Sequence, residues 1–200
     1  KAPKTSTETT KKEHFWDLLR EALLRRLLAL NWLLASCWDV HTFVVPLLGH
    51  ERGFSASVIG TILGVFAVAA AIIRLVLPLI AARLQEWAVI FSAMLMTATL
   101  YSIYPLLESP LAMGICSLLL GATLGSVQPM IMSSLHQITP EHRQGEALGL
   151  RMMSVTAAGA LMPIVFGGAG QAIGLLGVFW GVGIMVAVGS RLAWRMQKRG

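Results

Sequence analysis

The chain has 200 residues, of which 56% are hydrophobic and only 13% are charged, with a mean hydropathy of +0.69 and a formal net charge of +6. Because a soluble domain carries about 25% charged residues, this composition excludes an ordinary soluble fold and predicts an all-α integral membrane protein. The basic residues flank apolar segments, where they suit anionic lipid headgroups, so the positive charge does not predict a nucleic acid partner.

The first part of the chain is polar. Residues 1–14 are rich in Lys, Thr and Glu, which is typical of a flexible linker. Residues 15–26 place apolar side chains at helical spacing and charged side chains on the opposite face. This pattern predicts a short amphipathic helix at the membrane interface. We therefore assign residues 1–26 to a cytoplasmic linker and an amphipathic lead-in helix.

Six apolar segments follow, each long enough to cross a hydrocarbon core about 30 Å thick at about 1.5 Å per helical residue. They are residues 27–48, 57–82, 87–107, 111–138, 147–173 and 175–193. They predict a transmembrane bundle over residues 27–195 and a basic tail at 196–200. All 16 lysines and arginines except Arg52 and Arg74 fall on one side of this threading. Because positive charge stays in the cytoplasm during insertion, both termini are predicted to be cytoplasmic.

The six spans divide into two groups of three. Because three is an odd number, the second group crosses the membrane with the opposite topology, which predicts a 3+3 inverted repeat. Only Gly174 separates spans 5 and 6, so we expect these two helices to be neighbours. The prediction depends on topology, since the two groups show no strong repeat at the level of single residues.

Span 1 carries an ionisable residue, Asp39, near its middle. Such a group costs about 2.5–3.5 kcal/mol on insertion scales and faces a cavity or a partner. A three-to-four-residue spacing places five residues on one helical face: Trp32, Ser36, Asp39, Phe43 and Pro46. This pattern favours a stripe that lines a cavity, with Asp39 as a cation or proton site. A structural ion pair, or a contact between Asp39 and helix N–H groups, is the alternative.

Span 2 carries the only arginine deep within a predicted span. Arg74 lies nine residues before Arg83, which places it about 13 Å deeper along the helix axis. Arg74 could bind an anionic group of a substrate or pair with Asp39. The structural alternative is a set of hydrogen bonds from its guanidinium to carbonyl groups of the glycine-rich spans.

Spans 4 and 5 add a polar residue and a pattern of small residues. Gln128 lies near the centre of span 4, and its amide can donate and accept hydrogen bonds. Substrate recognition and an interhelical hydrogen bond are therefore both open to it. Glycines, with one proline, recur at four-residue intervals and predict close helix packing. They are Gly121 and Gly125 in span 4, and Gly159, Pro163 and Gly167 in span 5.

Two loops carry a resemblance to a known family. The stretch from Pro78 to Trp87 falls where the major facilitator superfamily has the signature Gly-x-x-x-Asp-Arg-x-Gly-Arg-Arg; Arg83 matches it, and Ala82 stands in the place of the aspartate. Residues 139–147 also resemble the Pro…Arg-Gly-x-Ala loop that often precedes span 11 of that family. With the six-span threading and the basic linker, the chain resembles the C-terminal half of a major facilitator superfamily transporter.

This resemblance implies a fold and a function. The fold would be a six-helix half bundle without a cofactor, and the function would be secondary transport of a small solute by alternating access, coupled to an ion or a proton. Arg83 would take part in cytoplasmic gating contacts. The implied partners are the lipid bilayer, a small-molecule substrate and an N-terminal six-helix half of the same polypeptide. The implied location is the cytoplasmic (inner) membrane of a bacterium.

Two other classes of function are alternatives to transport. An intramembrane serine protease needs a buried Ser–His pair, but His136 lies at the wrong depth and the motif Gly-x-Ser-Gly is absent. A six-span scaffold that transports nothing is the other alternative. The five histidines and two cysteines are scattered rather than set at ligand spacing, so we predict no metal site. We also predict no catalytic residue.

Overall fold

The computed structural model describes residues 15–80 and 85–197, and all the regular elements in these ranges are helical. The long helices are α1 (Ala22–Glu51), α2 (Ala56–Ile80), α3 (Glu86–Ile103), α4 (Pro110–Ile138) and α5 (Gln144–Gln197). Short 3-10 turns lie at Phe15–Arg20, Tyr104–Leu106 and Glu141–Arg143. The predicted linker at residues 1–14, the gating candidate Arg83 and the end of the basic tail lie outside the described residues.

Within the described residues, five helices are long and apolar enough to cross a membrane, whereas the sequence pattern predicted six. The difference lies in α5, which runs through both predicted spans 5 and 6 as one element of 54 residues. Gly174 alone departs from helical geometry there, with φ 73° and ψ 167°. Because a single residue connects the two segments, helical residues adjoin it on both sides and no loop separates them.

The lead-in segment also differs from its predicted form. Phe15–Arg20 is a 3-10 turn, and α1 begins directly afterwards at Ala22. The amphipathic pattern at residues 15–26 therefore covers this turn and the first turn of α1. Leu18 is 1% exposed and packs into the core, which explains why the apolar side of the pattern is present.

Small residues allow α2 and α4 to approach each other closely. A Cβ atom added at Gly121 would lie 2.2 Å from the carbonyl oxygen of Phe66, and one at Gly125 would lie 2.8 Å from the Cα of Ala70. Both glycines thus pack backbone to backbone against α2. By contrast, an added Cβ at Gly159 or Gly167 would meet no described atom within 4 Å. The α5 face that carries these two glycines is open in this structure.

The helices differ in how much of their surface the bundle covers. α1 lies at the centre, and its buried residues extend from Leu24 to Gly49. α2 is the least buried of the five long helices. It exposes a row of aliphatic side chains, Val68, Ile72, Leu75, Val76 and Leu79. Lipid chains or further helices are the surroundings that such a face requires.

Candidate functional site

The polar residues of the sequence analysis meet in a cavity of about 310 Å³. α1 contributes Asp39, α2 contributes Arg74 and α4 contributes Gln128, and the remaining wall is apolar or glycine. The complete lining is Ala35, Trp38, Asp39, Arg74, Gln128, Val155 and Gly159. Four helices therefore bring three predicted site residues, and the predicted packing residue Gly159, to one place.

The charged side chains in this cavity are not paired with each other. Among the described residues, no ion pair within 4 Å joins Asp39 to Arg74, and the Asp39 carboxylate accepts no hydrogen bond. The guanidinium carbon of Arg74 lies 4.9 Å from the centre of the Trp38 ring instead. This cation–π contact positions Arg74 without neutralising its charge. Both charges thus stay available within the cavity.

Two residues predicted to line the cavity with Asp39 do not line it. Trp32 is half-buried, and its carbonyl oxygen accepts a hydrogen bond from the Ser36 hydroxyl at 2.8 Å. Phe43 is 52% exposed. Both share a helical face with Asp39, but a face extends along the whole helix and the cavity occupies only its middle turns. Trp38, which the sequence analysis did not single out, contributes the aromatic ring.

A second arginine lies behind Gln128. The Nη2 atom of Arg151 donates a hydrogen bond to Oε1 of Gln128. Arg151 is only 8% exposed, and its Nε atom is buried without a hydrogen-bond partner among the described residues. In the hydropathy pattern Arg151 counts among the cytoplasmic flanking charges, although it lies within predicted span 5, and that position is the signal that could have identified it. We use the name "charged cavity" for Asp39, Arg74, Gln128 and Arg151.

A second polar group lies nearby and is completely enclosed. Nε2 of His41 lies 2.9 Å from Oγ of Ser117, which also hydrogen-bonds to the Tyr104 hydroxyl at 2.8 Å. His41 and Ser117 are 0% exposed, and the His41 ring stacks on Phe66 with 3.8 Å between ring centres. Ser117 and His41 are in contact, and the surrounding helices enclose both of them. We call His41, Ser117 and Tyr104 the "sealed cluster".

Polar contacts also join the helices at both ends of the bundle. Arg52, which follows α1, donates to the carbonyl oxygen of Pro105 at 2.6 Å and to that of Leu107. Arg52 therefore joins the end of α1 to the segment that follows α3. At the opposite end, Oε1 of Glu86 accepts hydrogen bonds from Ser133 at 2.9 Å and Gln137 at 2.6 Å. These contacts fix the ends of α1, α3 and α4 and leave the charged cavity between them.

The other hollows of the bundle have a different character. Two of them, of about 610 and 430 Å³, lie between α2 and α4 and are lined almost entirely by aliphatic and small side chains. Although larger, they offer no charged group to orient a polar solute, and their walls suit lipid chains or helices. Within residues 15–80 and 85–197, no three His, Cys, Asp or Glu side chains come together in a way that could hold a metal ion.

Comparison with known protein families gives a match that covers nearly the whole chain. A family model for the Major Facilitator Superfamily matches residues 3–199. No curated protein matches the chain. The matched range contains all five long helices, and with them both the charged cavity and the sealed cluster.

Proposed function

From the premise that this chain belongs to the Major Facilitator Superfamily, and so is a membrane transporter rather than an enzyme, we propose that it forms the C-terminal half of a secondary transporter. This half moves a small solute by alternating access, through rocking against an N-terminal six-helix half of the same polypeptide. The charged cavity carries the proposal. Unpaired ionisable groups within a membrane bundle are costly and mark a pathway for a substrate or an ion.

Six spans, rather than five, are part of this proposal. An α-helix of 54 residues is about 81 Å long, far more than the roughly 30 Å of a hydrocarbon core. The non-helical backbone at Gly174 gives the chain a point at which to reverse. Residues 144–173 and 175–197 then form two spans.

Aromatic contacts support this reversal. Phe91 near the start of α3 lies 5.5 Å from Trp194, and Tyr104 after the end of α3 lies 5.3 Å from Phe179, measured between ring centres. The last part of α5 therefore runs antiparallel to α3. Since the first part of α5 follows α4 after a short turn, it begins at the same end of the bundle as Trp194. This path supports the proposal of two groups of three spans with opposite topology, a 3+3 inverted repeat.

The open face of the bundle supports a second half. The cavity is walled by α1, α2, α4 and α5 on one side, and alternating access requires a wall on the other. The exposed aliphatic side chains of α2 and the uncontacted glycines of α5 provide surfaces for that second half and for lipid. A single half bundle is not expected to transport.

Each polar residue of the cavity has a proposed role. Asp39 binds the coupling ion or proton. When a proton or a monovalent cation binds its carboxylate, the charge of the cavity rises by one unit, and the charge falls again on release. Arg74 and Gln128 contact the substrate, the first as a charged donor and the second as a donor and acceptor. Arg83, which lies between α2 and α3 in the sequence, takes part in cytoplasmic gating.

The distribution of charge supports an orientation. Arg25 and Arg26 lie near the start of α1, and Arg191 lies near the end of α5. Positive charges collect on the cytoplasmic side, so both termini face the cytoplasm in this proposal. The membrane is the cytoplasmic (inner) membrane of a bacterium, which the chain crosses several times.

Solute uptake by the full-length protein in proteoliposomes tests the proposal. We expect Asp39→Asn and Arg74→Ala to lower uptake by about tenfold or more, since each removes a charge from the cavity. Arg25→Ala is the matched control because Arg25 is exposed and lies far from the cavity. Uptake at the parental rate in both cavity variants would remove these residues from the transport pathway.

A further inference from the structure

We propose that the transported substrate carries an oxyanion group, a carboxylate or a phosphate, which Arg74 and Arg151 bind together. This inference depends on the proposed function, because it gives the charged cavity a class of substrate. The first observation behind it concerns Arg151, which the sequence pattern assigned to the cytoplasmic flank. Arg151 is a buried guanidinium with an unused donor, in contact with a residue of the cavity wall.

The balance of charge favours an anion. One guanidinium, Arg74, and one carboxylate, Asp39, line the cavity, and a second guanidinium, Arg151, contacts the lining residue Gln128 from behind. None of them forms an ion pair with another described residue. Arg151 is buried, and Arg74, although exposed in this half bundle, lies on a membrane-spanning helix. A charge without a partner is costly in both settings, so an excess of positive charge persists only where an anion offsets it during the working cycle. An oxyanion is the partner that the guanidinium geometry matches best.

The direction of the Arg151 side chain supports this assignment. Arg151 lies seven residues after the start of α5, about 10 Å along the helix. Gln128 lies ten residues before the end of α4, about 15 Å along that helix. An arginine that only flanked the membrane would extend outwards to the headgroups. Arg151 extends inwards instead, to a residue at the middle of the bundle.

The contacts of both arginines leave donors for a substrate. Arg151 donates from Nη2 to the neutral amide oxygen of Gln128, while its Nε atom has no described partner. Arg74 lies over the Trp38 ring and forms no hydrogen bond with a described residue. A charged oxygen accepts a stronger hydrogen bond than an amide oxygen. A substrate oxyanion can therefore recruit Arg151 while it also accepts from Arg74.

The experiment is uptake of four radiolabelled probes by the full-length protein in proteoliposomes: inorganic phosphate, succinate, choline and glucose. We expect uptake of phosphate or succinate, and a roughly tenfold to hundredfold loss in Arg74→Gln and in Arg151→Gln, since each loses a charge-assisted hydrogen bond. Arg74→Lys and Arg151→Lys should retain more uptake than the glutamine variants. Arg25→Gln is the control and should match the parent.

Each outcome separates the inference from the proposed function. Uptake of choline or glucose alone would overturn the oxyanion assignment and leave secondary transport standing. Uptake of phosphate or succinate at the parental rate in both glutamine variants would overturn the role of the two arginines. Uptake of none of the four probes would count against both proposals.

A second measurement applies if a glutamine variant fails to fold. Because Arg74 lies over Trp38, an oxyanion bound at Arg74 should change the tryptophan fluorescence of the unmutated protein in detergent. Titration with phosphate or succinate should give a saturable change that Trp38→Phe abolishes and that choline does not produce. A response that persists in Trp38→Phe, or no response to either oxyanion, would contradict binding at this site.

Discussion

Two polar regions lie next to each other along α1 and differ in whether their polar groups have partners within the protein. His41 belongs to the sealed cluster, in which Ser117 bonds to both of its partners and His41 and Ser117 are 0% exposed. Asp39, two residues earlier, belongs to the charged cavity, where it has no hydrogen bond or ion pair with a described side chain. The fold pairs the hydroxyl groups of the sealed cluster and leaves only a neutral ring nitrogen, Nδ1 of His41, without a described partner, whereas the charged cavity leaves whole charges unpaired.

The difference shows how polar residues in a membrane bundle divide between stability and function. A hydrogen bond between helices stabilises them modestly, by about 0.6–2 kcal/mol, and needs no ligand. A charge without a partner lowers stability and is retained where a substrate or ion supplies the partner. Substitutions in the sealed cluster should therefore change stability, and those in the charged cavity should change transport.

A single substitution that damages both regions should have the largest effect. Gly121 lies against the backbone of Phe66, whose ring stacks on His41, and α2 also carries Arg74. The side chain of Gly121→Leu would force α2 away from α4, and we expect the free energy of unfolding to fall by about 3 kcal/mol and transport to be lost. Thermal unfolding in detergent and proteoliposome uptake would measure both.

The matched control uses a glycine in an open position. Gly159→Ala should leave thermal unfolding unchanged, since an added Cβ there meets no described atom within 4 Å. Equal destabilisation by Gly121→Leu and Gly159→Ala would contradict the close packing of α2 on α4.

Asp39→Asn should separate the two regions most clearly. It removes the negative charge from the charged cavity while keeping the size of the side chain, so we expect uptake to fall by about tenfold to a hundredfold. The free energy of unfolding should stay the same or rise, because an unpaired charge is lost. Unfolding at a lower denaturant concentration, with normal uptake per folded molecule, would assign Asp39 to structure.

Ser117→Ala should produce the opposite result. It leaves His41 and Tyr104 buried without their shared partner, which should lower the free energy of unfolding by about 2 kcal/mol. Uptake per folded molecule should match the parent, since Ser117 does not line the charged cavity. A loss of uptake without a change in unfolding would place the sealed cluster in the transport pathway.

Tyr104→Phe should give the smallest effect. It removes one hydroxyl and leaves the contact between His41 and Ser117 in place, so we expect a loss of about 1 kcal/mol. The stacking of ring 104 on Phe179 remains possible. A destabilisation as large as that of Ser117→Ala would mean that the Tyr104 hydroxyl dominates the cluster.

Hydropathy predicted much of this fold because the bilayer limits the length of each apolar segment. The predicted spans 57–82 and 111–138 compare closely with α2 at Ala56–Ile80 and α4 at Pro110–Ile138. The neighbours of each helix were not predictable in the same way. α2 packs on α4 through Gly121 and Gly125, and a glycine pattern indicates a close contact without naming its partner.

The depth of the charged cavity could be predicted from the sequence, but not all of its residues could. Asp39, Arg74 and Gln128 stood out because a polar residue far from a span end is rare. Arg151 did not, because an arginine near the start of a helix normally reaches the headgroups. Only the packing of α5 on the bundle turns it towards Gln128. Similarly, the spacing of residues indicated which face of α1 carries Asp39. It did not indicate that Trp38, rather than Trp32, lines the cavity, because that depends on where α2 places Arg74.

The contacts of Arg52 have a consequence for mutational tolerance. Its guanidinium donates to the backbone carbonyls of Pro105 and Leu107, and a carbonyl group is present whatever side chain occupies a position. A change of side chain at position 107 therefore keeps the accepting carbonyl in place, whereas Arg52 itself has no such freedom. At this contact, we expect substitutions to accumulate in the segment whose carbonyls accept these hydrogen bonds rather than at Arg52.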